Sequence, residues 1–445
     1  MEWEGLKRIT LVVSSPRIKQ QENYHHCIST TAPRLMKHDR PFRAANLFQK
    51  PAAPHFLTLY NPRHLRRSPP DNSSLLHANH LHKRIPKFHQ RRIQPRQMKG
   101  ILESTSHGLY CVPGDFHIDP HLPVKRAVVT HAHSDHARWG CKKYLATQSC
   151  ERLLRLRMSP DAEFRFLPYG ETLIVNDVRI SFHPAGHILG SAQIRLEYGG
   201  HVVLITGDYK LGSDPTCASW EPIRCHSMIS ESTFGLPIYR WPSQEAVFDS
   251  INRWWRECRD EGKCCLLYGY AIGKSQRLLA GLDPSIGKIY CHGAVEKGND
   301  AYRLSGVTLP ETTYVGSIRQ KHDWRGSLVV AVPSVHGTPW VKKFGRCSTA
   351  MASGWMAVRG TRRRRSVDRG FVLSDHVDWP SLLQAIEACT PETVWLTHGY
   401  TAPVARYLIE NGRDAKVLDL RGRNEGDEDA TDEDIEQTTG EIPTT

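Results

Sequence analysis

No stretch of this sequence approaches the ~18 consecutive apolar residues that a membrane helix needs, so no span is expected. Cysteine occurs twelve times but never as a CxxC pair; Cys264 and Cys265 are adjacent and the others are scattered. That spacing excludes a zinc ribbon and a thioredoxin-type redox pair. No signal peptide is visible, so the thiols read as reduced and mostly core, and the expected location is cytoplasmic. There is no internal repeat. Acid is scarce in residues 1–97, which hold 18 Lys and Arg against 5 Asp and Glu, the chain's whole net charge of +13. The remainder is balanced, so the positive charge does not argue for nucleic acid across the whole chain. Base is absent at the other end: residues 424–445 contain no Lys or Arg.

What is present is enough chain, 445 residues, for two or three domains. Residues 1–97 are rich in Pro, His, Arg and Ser, and only Ile9–Val13 looks like a strand. Four readings stand: a disordered extension, a mis-called start with Met98 opening the folded protein, a transit peptide, or a DNA-binding tail. Glu2 and Glu4 argue against the transit peptide. The mis-called start is preferred, because foldable pattern begins just after Met98. Residues 424–445 read as an acidic disordered tail.

From about Gly108 the pattern is α/β. Apolar or alternating runs bounded by Gly and Pro predict strands at 109–112, 127–130, 178–182, 193–198, 202–206 and 228–230. Helices are expected at about 147–157, 244–259 and 274–282. A strand at 371–373, a helix over 380–389, a strand at 394–397, a helix over 402–411 and a short strand at 416–418 close the pattern. Pro380, just after Asp378, is a helix-start signal. Trp254, Trp255, Trp355 and Trp379 could stack bases, but read as core.

The chemistry concentrates in His131-Ala132-His133-Ser134-Asp135-His136, directly after the apolar run 127–130. Alternate residues of an extended turn point the same way, so His131 and His133 can share one metal. Asp135 and His136 can turn toward a second. Imidazole and carboxylate donors suit zinc, and a pair of ions suits in-line hydrolysis. Four further residues stand where predicted strands end: His187, Asp208, His376 and His398. In α/β sheets, ligands gather beyond strand ends. The unit strand 371–373, helix, strand 394–397 reads as βαβ, which makes its strands parallel neighbours and puts His376 and His398 on one sheet edge. The inventory suits two ions: His131, His133 and His187 for one, Asp135, His136 and His398 for the other, with Asp208 bridging. His376 is left over, in the position a general acid needs.

These motifs resemble the metallo-β-lactamase fold, and within it the β-CASP branch, which includes RNase J, Artemis-type DNA nucleases and the mRNA 3′-end cleavage endonuclease. The resemblance covers roughly residues 108–420. It implies an α/β protein, an αββα sandwich carrying an inserted α/β β-CASP domain. Within it, His131–His136, His187, Asp208 and His398 match the metal motifs, Glu231 the first accessory acid and His376 the accessory histidine. From Asp208 to His398 is 190 residues, which calls for an insert. The expected division is 98–235 for the first part of the metallo-β-lactamase domain, 236–368 for the insert and 369–423 for the second part. Tyr270–Gln276 looks like the branch's strand-turn-helix, with Gly273, Lys274 and Ser275 at a helix start able to meet phosphate. Arg362, Arg363, Arg364 and Arg365 read as either a solvated loop or a phosphate clamp at the cleft mouth.

Gly114–Pro120, Gly207–Lys210, Glu231–Tyr239, Ser353–Met356 and the Arg362–Arg365 run narrow the resemblance to a bacterial DNA ligase-associated exonuclease subgroup. This implies two divalent ions, zinc first and manganese second, and DNA as substrate, taken from strand ends. It also implies an ATP-dependent DNA ligase and a helicase as partners. On this reading Asp208 bridges the ions, His376 protonates the leaving oxygen and Glu231 orients it. An RNA-processing nuclease of the same fold is the alternative. A non-catalytic scaffold binding nucleic acid or a ligase is disfavoured because every ligand position is filled. A plain small-molecule hydrolase would lack the insert.

Overall fold

The first described segment forms a six-stranded sheet in chain order: β1 (Leu102–Thr105), β2 (Gly108–Cys111), β3 (Phe116–Ile118), β4 (Arg126–Val128), β5 (Lys143–Thr147) and β6 (Glu163–Leu167). The structure, a computed structural model, describes residues 100–420 apart from 359 and 361–365. The expectations for residues 1–97, for Arg362–Arg365 and for the acidic tail therefore lie outside the described residues. β7 (Thr172–Val175), β8 (Val178–Pro184), β9 (Ala192–Tyr198), β10 (His201–Ile205) and β11 (Ser227–Ser232) belong to a second sheet.

Alternation builds the sandwich. Val128 and Leu145 of the first sheet share a core with Phe182, Ile194, Val203 and Ile229 of the second. Their sequence neighbours Ala127, Tyr144 and Ala146 point the other way, onto Leu153 and Leu154 of α1 (Glu151–Arg157). Leu204 and Met228 likewise turn outward from the second sheet onto a third core. Burying a leucine-sized side chain on either face stabilises by about 1.5–3 kcal/mol, which makes a one-residue register slip prohibitive.

After β11 the chain leaves the second sheet. α2 (Gln244–Asp260) leads into a third sheet made of β12 (Cys264–Tyr268), β13 (Ile289–Cys291), β14 (Thr313–Tyr314), β15 (Leu328–Ala331), β16 (Cys347–Ala352) and β17 (Arg369–Phe371). Its order is β14-β13-β15-β12-β16-β17 and every pairing is parallel. α3 (Lys274–Ala280) follows β12 and α4 (Gly293–Leu304) follows β13. Trp254 and Trp255 are buried here, in the core.

The chain returns through α5 (Trp379–Cys389), β18 (Thr393–Gly399), α6 (Thr401–Glu410) and β19 (Asp414–Val417). Asp378 caps α5 by accepting from the Ser381 N–H, with Pro380 in the first turn as expected. The second sheet reads β19-β18-β11-β10-β9-β8-β7, so the whole third sheet is inserted between two adjacent parallel strands, β11 and β18.

This corrects one expectation. The strand near 371 is not a parallel neighbour of 394–397: β17 pairs with β16 in the third sheet, while β18 lies between β11 and β19. The apolar run Phe371-Val372-Leu373 suits either sheet, and the slot beside β18 is already taken by β11. β17 also extends the third sheet to Phe371, past the expected boundary at 368. His376 lies in the crossing between the two sheets. No helix among the described residues is long and apolar enough to cross a membrane, and every described cysteine is a free thiol.

Candidate metal centre

Asp208 follows β10 through Gly207, whose φ is +55°; a Cβ there would stand 2.7 Å from Thr130 Cβ. Only glycine lets the strand ends of β10 and β4 approach this closely. The result sets the Asp208 carboxylate beside the loop after β4. Donor atoms of His131, His133, His187 and Asp208 all lie within 4.8 Å of one another, as do those of Asp135, His136 and Asp208, and of Asp208, Glu231 and His376. Asp208 is common to all three groups.

The separations fit metal ligation. Ligands about 2.0–2.1 Å from a tetrahedral ion stand about 3.3 Å apart. His133 Nδ1 is 3.1 Å from His131 Nε2 and 3.1 Å from His187 Nε2, and Asp208 Oδ2 is 3.5 Å from His131 Nε2. On the other side His136 Nε2 lies 3.2 Å from Asp208 Oδ2 and 3.3 Å from Asp135 Oδ2.

The remaining ring nitrogens decide which atom carries the lone pair. His187 Nδ1 donates to the Asp375 carbonyl at 2.9 Å and His133 Nε2 to the Ile272 carbonyl at 3.2 Å. His136 Nδ1 donates to Asp119 Oδ2 at 2.8 Å. Thr130 Oγ1 gives its proton to Asp119 at 2.6 Å and accepts from His131 Nδ1 at 3.0 Å. Each proton is thus used outward, and each free lone pair faces Asp208. Burial, reinforced by neighbouring imidazoles, holds His131 and His187 well below the usual histidine range; burial also lowers His133. All three are neutral at pH 7, the form that ligates. Burial would raise Asp208, but His136 above all, with His376 and His131, holds it well below the usual carboxylate range.

Beside this cluster His376 Nδ1 donates to Glu231 Oε2 at 2.8 Å. Glu231 is buried in β11 and accepts from the Tyr209 N–H at 2.8 Å and the Thr233 hydroxyl at 2.7 Å, which fixes its orientation. His398 reaches the same region through a register shift between β11 and β18: Glu231 pairs with Thr397, but Ser232 with Gly399. The extra residue, His398, has φ +57° and its ring centroid is 5.7 Å from that of His136. Bulges of this kind re-aim side chains. His398 belongs to none of the three close donor groups.

The cluster opens into a cleft walled by His376, Phe234, Arg157, Tyr270 and Ser353 among others.

No family model matches the sequence. Over 315 residues, 70% of this chain, it is 34% identical to a probable DNA ligase of Opitutus terrae, and the match spans 30% of that protein. It is 30% identical over 195 residues, 40% of the chain and 22% of the relative, to endoribonuclease YSH1 of Gibberella zeae. It is 33% identical over 113 residues, 25% of the chain and 27% of the relative, to an RNase J-like protein of Methanocaldococcus jannaschii. The chain therefore spans under a third of the length of each. The fold is that of a metallo-β-lactamase sandwich with an inserted β-CASP domain, and the nuclease relatives share it.

Within that frame the third sheet is the β-CASP insert, and it supports the site directly, because Ile272 and Asp375 hold His133 and His187. The expectation that Lys274 and Ser275 present themselves to phosphate is corrected. Lys274 is buried, with Nζ 2.7 Å from Asp375 Oδ2 and 2.9 Å from the Leu373 carbonyl. The Ser275 hydroxyl donates to the Tyr270 carbonyl at 2.7 Å. Gly273, φ +87°, allows close approach to Ile188, and its N–H is taken by Gln276 Oε1 at 2.8 Å.

Lys274 is part of a buried ionic chain that sequence reasoning missed. Arg277 Nη1 meets Asp375 Oδ1 at 2.8 Å, Arg277 Nε meets Asp214 Oδ2 at 3.4 Å, and Lys210 Nζ meets Asp214 Oδ2 at 2.6 Å. Asp119 was also missed as an orienting residue. Its one sequence signal was its place in the Gly114–Pro120 motif.

Proposed function

We propose that the chain is a metal-dependent phosphodiesterase that cleaves nucleic acid, most specifically a DNA exonuclease working with an ATP-dependent DNA ligase. The observation that carries the reading is the convergence on one carboxylate, Asp208, of two sets of donor lone pairs and of the His376–Glu231 pair. His131, His133 and His187 would hold one ion and Asp135, His136 and His398 the other, with Asp208 between them. The imidazole-rich donor set favours zinc, then manganese. Bound there, two divalent ions would polarise the phosphodiester and supply a water-derived nucleophile at neutral pH.

The chain's own residues do the rest. Glu231 accepts from His376 Nδ1, which leaves Nε2 as the atom that can pass a proton to the leaving oxygen. Phe234 walls the cavity beside His376, their ring centroids 6.1 Å apart, and limits water there. The relative called a probable DNA ligase, matched over most of this chain, favours DNA; the endoribonuclease relatives keep an RNA-processing nuclease as the second reading.

End-labelled single strands of the same sequence, offered as DNA and as RNA with zinc or manganese, test the proposal. Stepwise shortening of DNA that chelator abolishes is expected. Preferred cleavage of RNA would move the protein to the second reading, and no cleavage of either strand would remove the enzyme assignment.

A further inference from the structure

All six strands of the third sheet run the same way, so all six end at one edge. The chain beyond β12, β16 and β17 supplies Tyr270, Ser353 and His376 to the central cavity. The chain beyond β13, β14 and β15 lines a second, larger open cleft, with His292, Gly316, Trp340 and Lys343 in its walls. Neighbouring strands lie about 4.8 Å apart, so the three steps from β16 to β13 separate the two cavities by about 14 Å along one edge.

The second cavity has a built floor. Tyr314 is 48% exposed, yet its ring is seated on backbone. A Cβ on Gly293 would stand 3.1 Å from it, and one on Gly316 would collide with it outright. An exposed aromatic held in place by two glycines is a preorganised platform. Across the cavity the Trp340 indole is braced edge-on by His292 and Phe344, at centroid separations of 5.3 and 4.8 Å. Lys343 Nζ sits 4.3 Å from its ring centroid. Burial lowers His292 to about 4, so that wall is an uncharged ring at neutral pH. Lys297 adds a second exposed cation. Two acids also line it: Glu296 is committed to Arg303 at 3.0 Å and the Thr312 hydroxyl at 2.7 Å, and exposed Asp300 faces the same Arg303 at 3.6 Å. Aromatic platforms beside lysines are the means by which proteins hold unpaired bases without reading their sequence.

We infer that this cavity is a stacking subsite for an unpaired base of the nucleic-acid strand whose phosphodiester lies in the central cavity, with Tyr314 and Trp340 taking the base and Lys297 and Lys343 the adjoining phosphates. The inference rests on the phosphodiesterase reading for the position of the strand. At the ~3.4 Å rise of a stacked strand, 14 Å corresponds to about four nucleotides. Substrates shorter than that do not reach the subsite.

The test uses the full chain and two variants, Tyr314→Ala and Tyr314→Phe. With a twelve-nucleotide single strand, Tyr314→Ala is expected to raise KM roughly 10-fold or more with kcat unchanged. Tyr314→Phe should retain the wild-type value, and both variants should match wild type on a dinucleotide. Equal loss on both lengths, or no loss on the long strand, would overturn the inference. A binding arm keeps it separate from the activity: fluorescence anisotropy of a labelled twelve-mer in chelator. If no chain cleaves, the proposed reaction fails, while weaker binding by Tyr314→Ala alone still supports the subsite. Equal affinity across all three chains overturns it.

Discussion

His187 Nδ1 and the main-chain oxygen of Asp375 are 2.9 Å apart although 188 residues separate them in sequence. The side chain of the same aspartate is held between Lys274 and Arg277. One residue thus aims a candidate metal ligand with its backbone and anchors the insert with its carboxylate.

These two roles separate in Asp375→Asn. The carbonyl stays, but buried Lys274 loses its carboxylate partner while Arg277 keeps only Asp214, which costs about 3–5 kcal/mol. Urea unfolding should show that loss, while zinc content of the folded protein remains at the wild-type ratio. A variant of unchanged stability would show that the ionic chain is not what joins these elements.

Asp208→Ala removes the one carboxylate shared by all three donor groups. Elemental analysis should find metal well below two ions per chain and activity should be abolished. His131→Ala should weaken mainly one of the two sites. Two ions retained in Asp208→Ala would remove the bridging assignment.

His376→Ala should keep both ions and still bind single-stranded DNA, with turnover reduced about 10²–10⁴-fold. The loss should shrink on a nitrophenyl phosphodiester, whose leaving oxygen needs no proton. Glu231→Gln should give a smaller defect in the same direction, and the double variant should be little worse than His376→Ala, because the two act as a unit. Loss of a metal ion in His376→Ala would make the residue a ligand instead.

Asp214 sets an acid limit. Burial would raise its carboxyl, but Lys210 and Arg277 outweigh that and hold it below the usual carboxylate range. The folded state therefore binds its proton less readily than the unfolded chain. The stability it contributes is complete above the unfolded value of about 3.9 and is lost as pH falls through the lower folded value. Asp214→Asn should be less stable than wild type at pH 7, with the gap narrowing below about pH 4 in denaturant titrations. A gap that widens on acidification would reverse this sign.

Much of the donor set was legible because its residues are chemically loud and stand just past apolar runs: His131 to His136, His187 and Asp208 each end a strand that alternation reveals. The path of the chain was less legible. Phe371-Val372-Leu373 suits any buried strand, and nothing local says that its partner is β16 and not β18. The short, fully buried strands β13 and β15 carry no alternation to read. Lys274 looked like a phosphate ligand because a lysine at a helix start usually faces solvent, and its partner Asp375 lies about a hundred residues on. The bulge that carries His398 is only half marked in sequence: His398 and Gly399 both take left-handed backbone, φ +57° and +64°, and the glycine alone signals it.

The attachment of His133 and His187 to carbonyls beyond the second sheet has a mechanical corollary. A jaw that swung the third sheet away from the sandwich would drag Ile272 and Asp375 with it, and two imidazoles would lose their aim together. Gaping and disarming would be a single event.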